Sequence, residues 1–128
     1  MKSAWSTPSA PRPSSWIAQV SKSDALGAAW VSGLISQEAG GEVITGTSVA
    51  EQTRLILENL KNIVEDMGLT MEHIIKTNIF MRDLKDFNEM DAVYRRYFNS
   101  ENPPARLCVE AGVWGGLDVE ISAVVVLR

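Results

Sequence analysis

The chain has 128 residues, 45% of them hydrophobic and 22% charged, the mix of one ordinary globular domain with apolar side chains enough for a core. A net charge of −4 and a pI near 5.0 argue against a nucleic-acid surface, which needs a basic patch. One cysteine and one histidine exclude an internal disulfide and a His/Cys metal cluster, and the longest apolar run, Ala123–Leu127, is far too short to cross a bilayer.

No apolar stretch of a secretory signal stands at the N-terminus, and with the lone cysteine this points to a reducing, cytoplasmic setting. No internal repeat is present. Residues 1–15 carry Pro8, Pro11 and Pro13 among several serines and read as an extended or mobile segment before a single domain spanning 16–128. Trp16–Val20 is a short β-like run, Lys22–Leu26 a turn, and Ala28–Ser32 a second strand ended by Gly33. Ala39–Gly41 reads as another turn, with a brief strand around Val43.

Thr47–Met67 is the clearest helix. Ser48, with Glu51 three residues on, has the spacing of a capping box. Val49, Ile56, Leu60, Ile63, Val64 and Met67 form one apolar stripe, and Gly68 fits the C-terminal stop. Ile74–Met81 alternates as a strand, with Ile75, Thr77, Ile79 and Met81 on one face. A second helix follows, with Asp86 and Glu89 at its start and Phe87, Met90, Tyr94 and Tyr97 at helical spacing. Asn99–Pro104 ends it.

Pro103–Leu127 reads as two strands joined at Gly115-Gly116, where a tight reversal needs positive φ. Arg106, Cys108 and Glu110 share one face of the first strand; Leu107, Val109 and Ala111 share the other, expected to be the core face. In the last strand Val119, Ile121, Ala123, Val125 and Leu127 alternate against Glu120, Ser122, Val124 and Val126. The order is hairpin, helix, strand, helix, hairpin. It predicts an α+β domain of two layers, a mixed sheet with both helices on one face. The second sheet face, carrying Val124 and Val126, is left uncovered and predicts self-association.

The chemistry-bearing pair in this pattern is Arg106 and Glu120. Arg is suited to a bidentate grip on a carboxylate, and a Glu on a neighbouring strand can hold a water beside the ligand. Spacing alone leaves a second reading open, a structural ion pair. Cys108, two residues from Arg106 on the same face, is either a thiolate activated by that charge or a small thiol lining a pocket. His73 lies in a polar turn and reads as a surface residue. No Walker, dinucleotide or nucleophile-elbow motif is present.

PARLCVE followed by VEISAV resembles the C-terminal signature of the RidA/YjgF family of reactive-intermediate deaminases, and the likeness extends from about Trp16 to the C-terminus. The resemblance implies a chorismate-mutase-like fold and a homotrimer whose sheets form an inner barrel, with sites in clefts between subunits. It implies hydrolysis of enamine and imine acids of the 2-aminoacrylate/iminopyruvate type to ketoacids and ammonia, with no cofactor or metal. It assigns Arg106 to the substrate carboxylate, Glu120 to the hydrolytic water, and Cys108, Ser32 and Gly33 to the pocket. Nucleic acid and membrane are not among the implied partners.

Three departures from the family stand out. Trp16 takes the place of a pocket Tyr. Asp91 takes the place of Asn in the N-x-x-Y pattern that ends at Tyr94. Val113–Gly116 replaces a loop that carries an L-P dipeptide, and is one residue shorter. If Trp16 and Trp114 both flank the pocket, their flat surfaces suit a conjugated substrate such as 2-aminomuconate; otherwise Trp114 packs at a subunit interface. A trimer that binds small carboxylates without turnover is the non-catalytic alternative. RNA cleavage or translation inhibition, ascribed to some relatives, fits the acidic balance least.

Overall fold

In a computed structural model that describes residues 1–128, the first apolar stripe becomes α1 (Val49–Asp66), with Ile56, Leu57, Leu60, Ile63 and Val64 buried. The Ser48 side chain accepts the Glu51 backbone N–H at 3.1 Å, a cap worth about 1 kcal/mol. The reciprocal half of the expected capping box does not form, because the Glu51 carboxylate takes Arg54 Nε at 2.9 Å instead. Met67 caps the other end, and Gly68 follows at φ +80°, the left-handed turn that stops a helix. The second helix, α2 (Phe87–Tyr94), lies against α1 and sends Met90 and Tyr94 into the same core.

Six strands form one mixed sheet: β1 (Ser3–Trp5), β2 (Val20–Ser23), β3 (Ala28–Leu34), β4 (Ile74–Met81), β5 (Ala105–Glu110) and β6 (Val119–Val126), in the order β1-β2-β3-β6-β4-β5. Only the β4–β5 pair is parallel; β6 lies antiparallel to both β3 and β4. The two-layer α+β expectation therefore holds, with both helices on one side of the sheet. The C-terminal hairpin does not: β4 separates β5 from β6. Gly115 and Gly116 do adopt positive φ, +67° and +71°, but in a short 3₁₀ turn at Trp114–Gly116 that leads from one strand across to the far side of another.

The helix-facing side of the sheet is the core. On β6 it takes Val119, Ile121, Ala123 and Val125, as the alternation predicts. On β4 the alternation breaks once. Ile74 pairs with Val125 and Lys76 with Val124, so Ile75 is the extra residue of a bulge. The bulge turns Ile74 into the core at 4% exposure and leaves Ile75 outside at 53%, the reverse of the reading from period two. On β5 the expected faces are also exchanged: Leu107 is 44% exposed, whereas Cys108 packs against the core.

The segment Trp16–Val20 joins the sheet only at Val20, and Trp16 itself sits at φ +78°. Residues before it fold along the domain. β1 pairs with β2, Ala10 is buried, and Gln19 ties the segment down through Thr7 N (2.8 Å) and the carbonyls of Thr7, Ala10 and Pro11. No helix is long and apolar enough to cross a membrane.

Candidate active site

Arg106 lies near the start of β5, an edge strand, in register with Thr77 of β4. Neighbours in register point to one side of a sheet, and Thr77 is fully buried beneath the helices, so Arg106 points to the helix side. There α2 meets it. Asp91 Oδ1 accepts Arg106 Nη1 at 2.6 Å, and Asp91 Oδ2 accepts Arg95 Nε at 2.8 Å. The guanidinium carbon stands 4.8 Å from the Tyr94 ring centre and 5.3 Å from that of Phe87, both within cation–π range. Tyr94 is fixed in turn by its hydroxyl contact with Thr77 Oγ1 at 2.8 Å and by Phe98, 4.5 Å away between ring centres. Arg106 is thus held by one carboxylate and two aromatic faces, at the edge of an open cleft of about 420 Å³ lined also by Arg95, Ser100, Pro103 and Pro104.

Two opposing effects set the charge of Asp91. Burial works to raise its pKa, but the hydrogen bonds from Arg106 and Arg95, with the attraction of both cations, outweigh it and hold the carboxyl below the ordinary range. For Cys108 burial wins: it pushes the thiol above its usual value although Arg106 pulls the other way. Of the two readings of Cys108, this direction favours the small thiol lining a pocket. At neutral pH it is a half-buried thiol on the face of Arg106.

Glu120 lies elsewhere. It is in register with Phe80 on β4, on the face opposite the core. Beside it is Gly33: a Cβ built there would collide with the Glu120 carboxylate, so glycine leaves the room in which that side chain lies. Ser32 precedes it, its hydroxyl donated to the Ala18 carbonyl at 2.6 Å. Trp16 and Trp114 are 102% and 72% exposed, on the segments that lead into β2 and β6 at this same end of the sheet. The predicted residues thus divide into two groups. Arg106 and Cys108 face the helices; Glu120, Ser32 and Gly33 gather where β3 runs against β6. Within one chain neither an Arg106–Glu120 ion pair nor a joint site exists, because β4 intervenes and the two side chains point to opposite faces.

The partner that sequence reading missed is Asp91. Its departure from the N-x-x-Y pattern was visible, but nothing in the spacing tied it to an arginine 15 residues on. His73 also has a role that was not read: its Nδ1 accepts the Thr70 backbone N–H at 3.1 Å and completes a capping box on the short turn Met71–His73. No group of three or more His, Cys, Asp or Glu side chains is placed to hold a metal.

The 2-iminobutanoate/2-iminopropanoate deaminase of Escherichia coli is 43% identical over 83 residues, 62% of this chain and 65% of that one. Protein HMF1 of Saccharomyces cerevisiae is 33% identical over 100 residues, 77% and 76% of the two chains. A relative from Pyrococcus abyssi, a RutC family protein, matches at 40% over 70 residues, and the matched segment spans about half of each chain (55% and 54%). Among solved structures, yeast Mmf1 superposes over the full length of both chains with a TM-score of 0.91 at 28% identity. E. coli TdcF with bound serine superposes with a TM-score of 0.84 at 32% identity, covering 97% of this chain and 98% of that one. The family model described as Endoribonuclease L-PSP matches residues 9–127, and with that span the chain belongs to this family, the one also called RidA/YjgF.

Proposed function

We propose that the protein is a hydrolase that deaminates small enamine and imine acids to ketoacids and ammonia, working as a homotrimer with each site shared between two subunits. The observation that carries the reading is the division of the site. Arg106, orientated by Asp91, Tyr94 and Phe87, and Glu120, lodged beside Gly33, face away from each other in one chain. One ligand can meet both only if a second copy supplies the missing half. The uncovered sheet face supports that assembly: Trp30, in register with Val124, and Leu107, in register with Asn78, are 46% and 44% exposed. The likeness to the E. coli imine deaminase supports the chemistry.

In this reading Arg106 holds the substrate carboxylate through the N–H donors that Asp91 leaves free. An enamine first takes a proton on its β-carbon to become an imine. Glu120 then accepts a proton from a bound water as the oxygen adds to the C=N carbon, giving a carbinolamine. The first water proton passes from Glu120 to the nitrogen as the carbinolamine forms; its hydroxyl proton then follows through the same carboxylate, the C–N bond breaks, and the ketone and ammonia are released. Cys108 lines the carboxylate end and carries no covalent step, in keeping with its raised pKa. No step requires a redox or electrophilic cofactor, and fixing the reactants side by side supplies much of the rate enhancement. The family model's description names RNA cleavage, but a net charge of −4 fits that reading less well, since RNA binding draws on a basic surface.

The test is ammonia release from a freshly generated imino acid. Arg106→Ala and Glu120→Gln are each expected to lower kcat/KM by about 100-fold or more. Full turnover in both variants would overturn the reading. The solved relative with bound serine favours one second reading, a carboxylate-binding trimer without turnover. Calorimetric binding of 2-ketobutyrate that is lost in Arg106→Ala, with no ammonia release by the wild type, would establish that one instead.

A further inference from the structure

The cleft beside Arg106 contains three charged side chains: the guanidinium groups of Arg95 and Arg106 and the carboxylate of Asp91 that binds both. Arg95 is an exposed side chain at 79%, whereas that of Asp91 is only 11% exposed. The half-site that one chain supplies therefore carries one net positive charge, not two, and the Glu120 of a second copy would add no cation to it. A ligand with a single carboxylate neutralises it. A ligand with two carboxylates leaves it negative, and the charge of Asp91, at 11% exposure, is screened less than that of the exposed Arg95.

Resting on the reading of Arg106 as the carboxylate clamp, we propose that Asp91 is a specificity-determining residue, a built-in charge filter that restricts the site to substrates bearing one carboxylate. Asp91 Oδ1 takes one of the five N–H donors of Arg106. A ligand carboxylate on the remaining donors must then lie within about 4–6 Å of Asp91, a distance at which a like charge costs on the order of tenfold in affinity. Asparagine would keep the acceptor that orientates Arg106 and remove the charge. The substrate class is thereby narrowed: small monocarboxylic imino acids pass, and conjugated dicarboxylates of the kind that Trp16 and Trp114 would otherwise suit are disfavoured.

The experiment compares the affinity of the intact assembly for 2-ketobutyrate, a monocarboxylate, and 2-oxoglutarate, a dicarboxylate, by calorimetry. Asp91→Asn is expected to tighten 2-ketobutyrate about tenfold and 2-oxoglutarate by more, so that the preference for the monocarboxylate falls several-fold. Asp91→Glu, which keeps the charge, is expected to retain the wild-type preference, an outcome that a purely structural role would not give. Arg95→Gln, at an exposed position, removes a cation and is expected to raise the preference; it decides the matter even where Asp91→Asn does not fold. An unchanged ratio of the two affinities in Asp91→Asn, or in Arg95→Gln should the former be unfolded, overturns the charge filter. Binding of both ligands that survives Arg106→Ala overturns the clamp reading itself, so the two failures are distinct.

Discussion

Gly33 and Glu120 are a pair whose meaning lies in the space between them. A Cβ at position 33 would strike the mobile end of the Glu120 side chain, not the backbone, so the carboxylate must move while the strand stays. Gly33→Ala is therefore expected to cut kcat at least tenfold while shifting Tm by only a few degrees, measured by ammonia release and thermal melting. Cys108 gives the opposite expectation. Its thiol is held protonated by burial, and Cys108→Ser is expected to retain turnover to within about tenfold; complete loss would restore the nucleophile reading. Asp91 carries a pH signature. Its pKa is lower folded than unfolded, so its ionised form favours folding. That contribution is full above the ordinary carboxylate pKa of about 4 and disappears as pH falls through the lower folded value. Urea midpoints of wild type and Asp91→Asn are expected to differ most at neutral pH and to converge as pH falls well below the ordinary carboxylate range.

At the scale of the element, α1 was legible because its signals agree. A Ser at the N-cap, an apolar stripe of period 3.6 and a closing glycine all name the same 18-residue helix, Val49–Asp66. Leu60→Ala, a substitution at a side chain 1% exposed, is expected to cost about 2–5 kcal/mol in chemical denaturation. Ser48→Ala is expected to cost about 1 kcal/mol. β4 was legible as a strand, and its phase holds from Thr77 to Met81; it fails only at Ile74 and Ile75, since a bulge at Ile75 leaves no mark in composition. β5 was legible as a strand with its faces exchanged: Arg106 and Cys108 look polar beside Leu107 and Val109, yet α2 offers Arg106 a carboxylate and two rings. A guanidinium with such partners packs against a core, and its flat faces cover apolar surface as a leucine would.

At the scale of the molecule, the proposed trimer would bring the halves of the candidate site together by symmetry. In a cyclic trimer each interface is heterologous, so one copy offers its Arg106 half while the next offers its Glu120 half. Mixing inactive Arg106→Ala with inactive Glu120→Gln, then unfolding and refolding them together, is expected to restore roughly a quarter of wild-type activity, the statistical share of sites that receive both native residues. No recovery in mixed assemblies would place both residues of each site in one chain, against the register of the sheet. Leu107→Glu, at the exposed second face, is expected to yield monomers by analytical ultracentrifugation and to abolish turnover with them.

The sequence by itself determined the α+β layering, the long helix, the phase of β6 and the candidate residues Arg106 and Glu120, because each follows from local periodicity, capping or motif. Strand order was decided only by the tertiary structure. A 3₁₀ turn through two left-handed glycines carries the chain past β4, and β6 inserts between β3 and β4 where its apolar face meets α1. That one insertion separates Arg106 from Glu120 and hands Arg106 to Asp91. Pairing of this kind is set by which faces can be buried together, a property of the whole chain that no stretch of it contains.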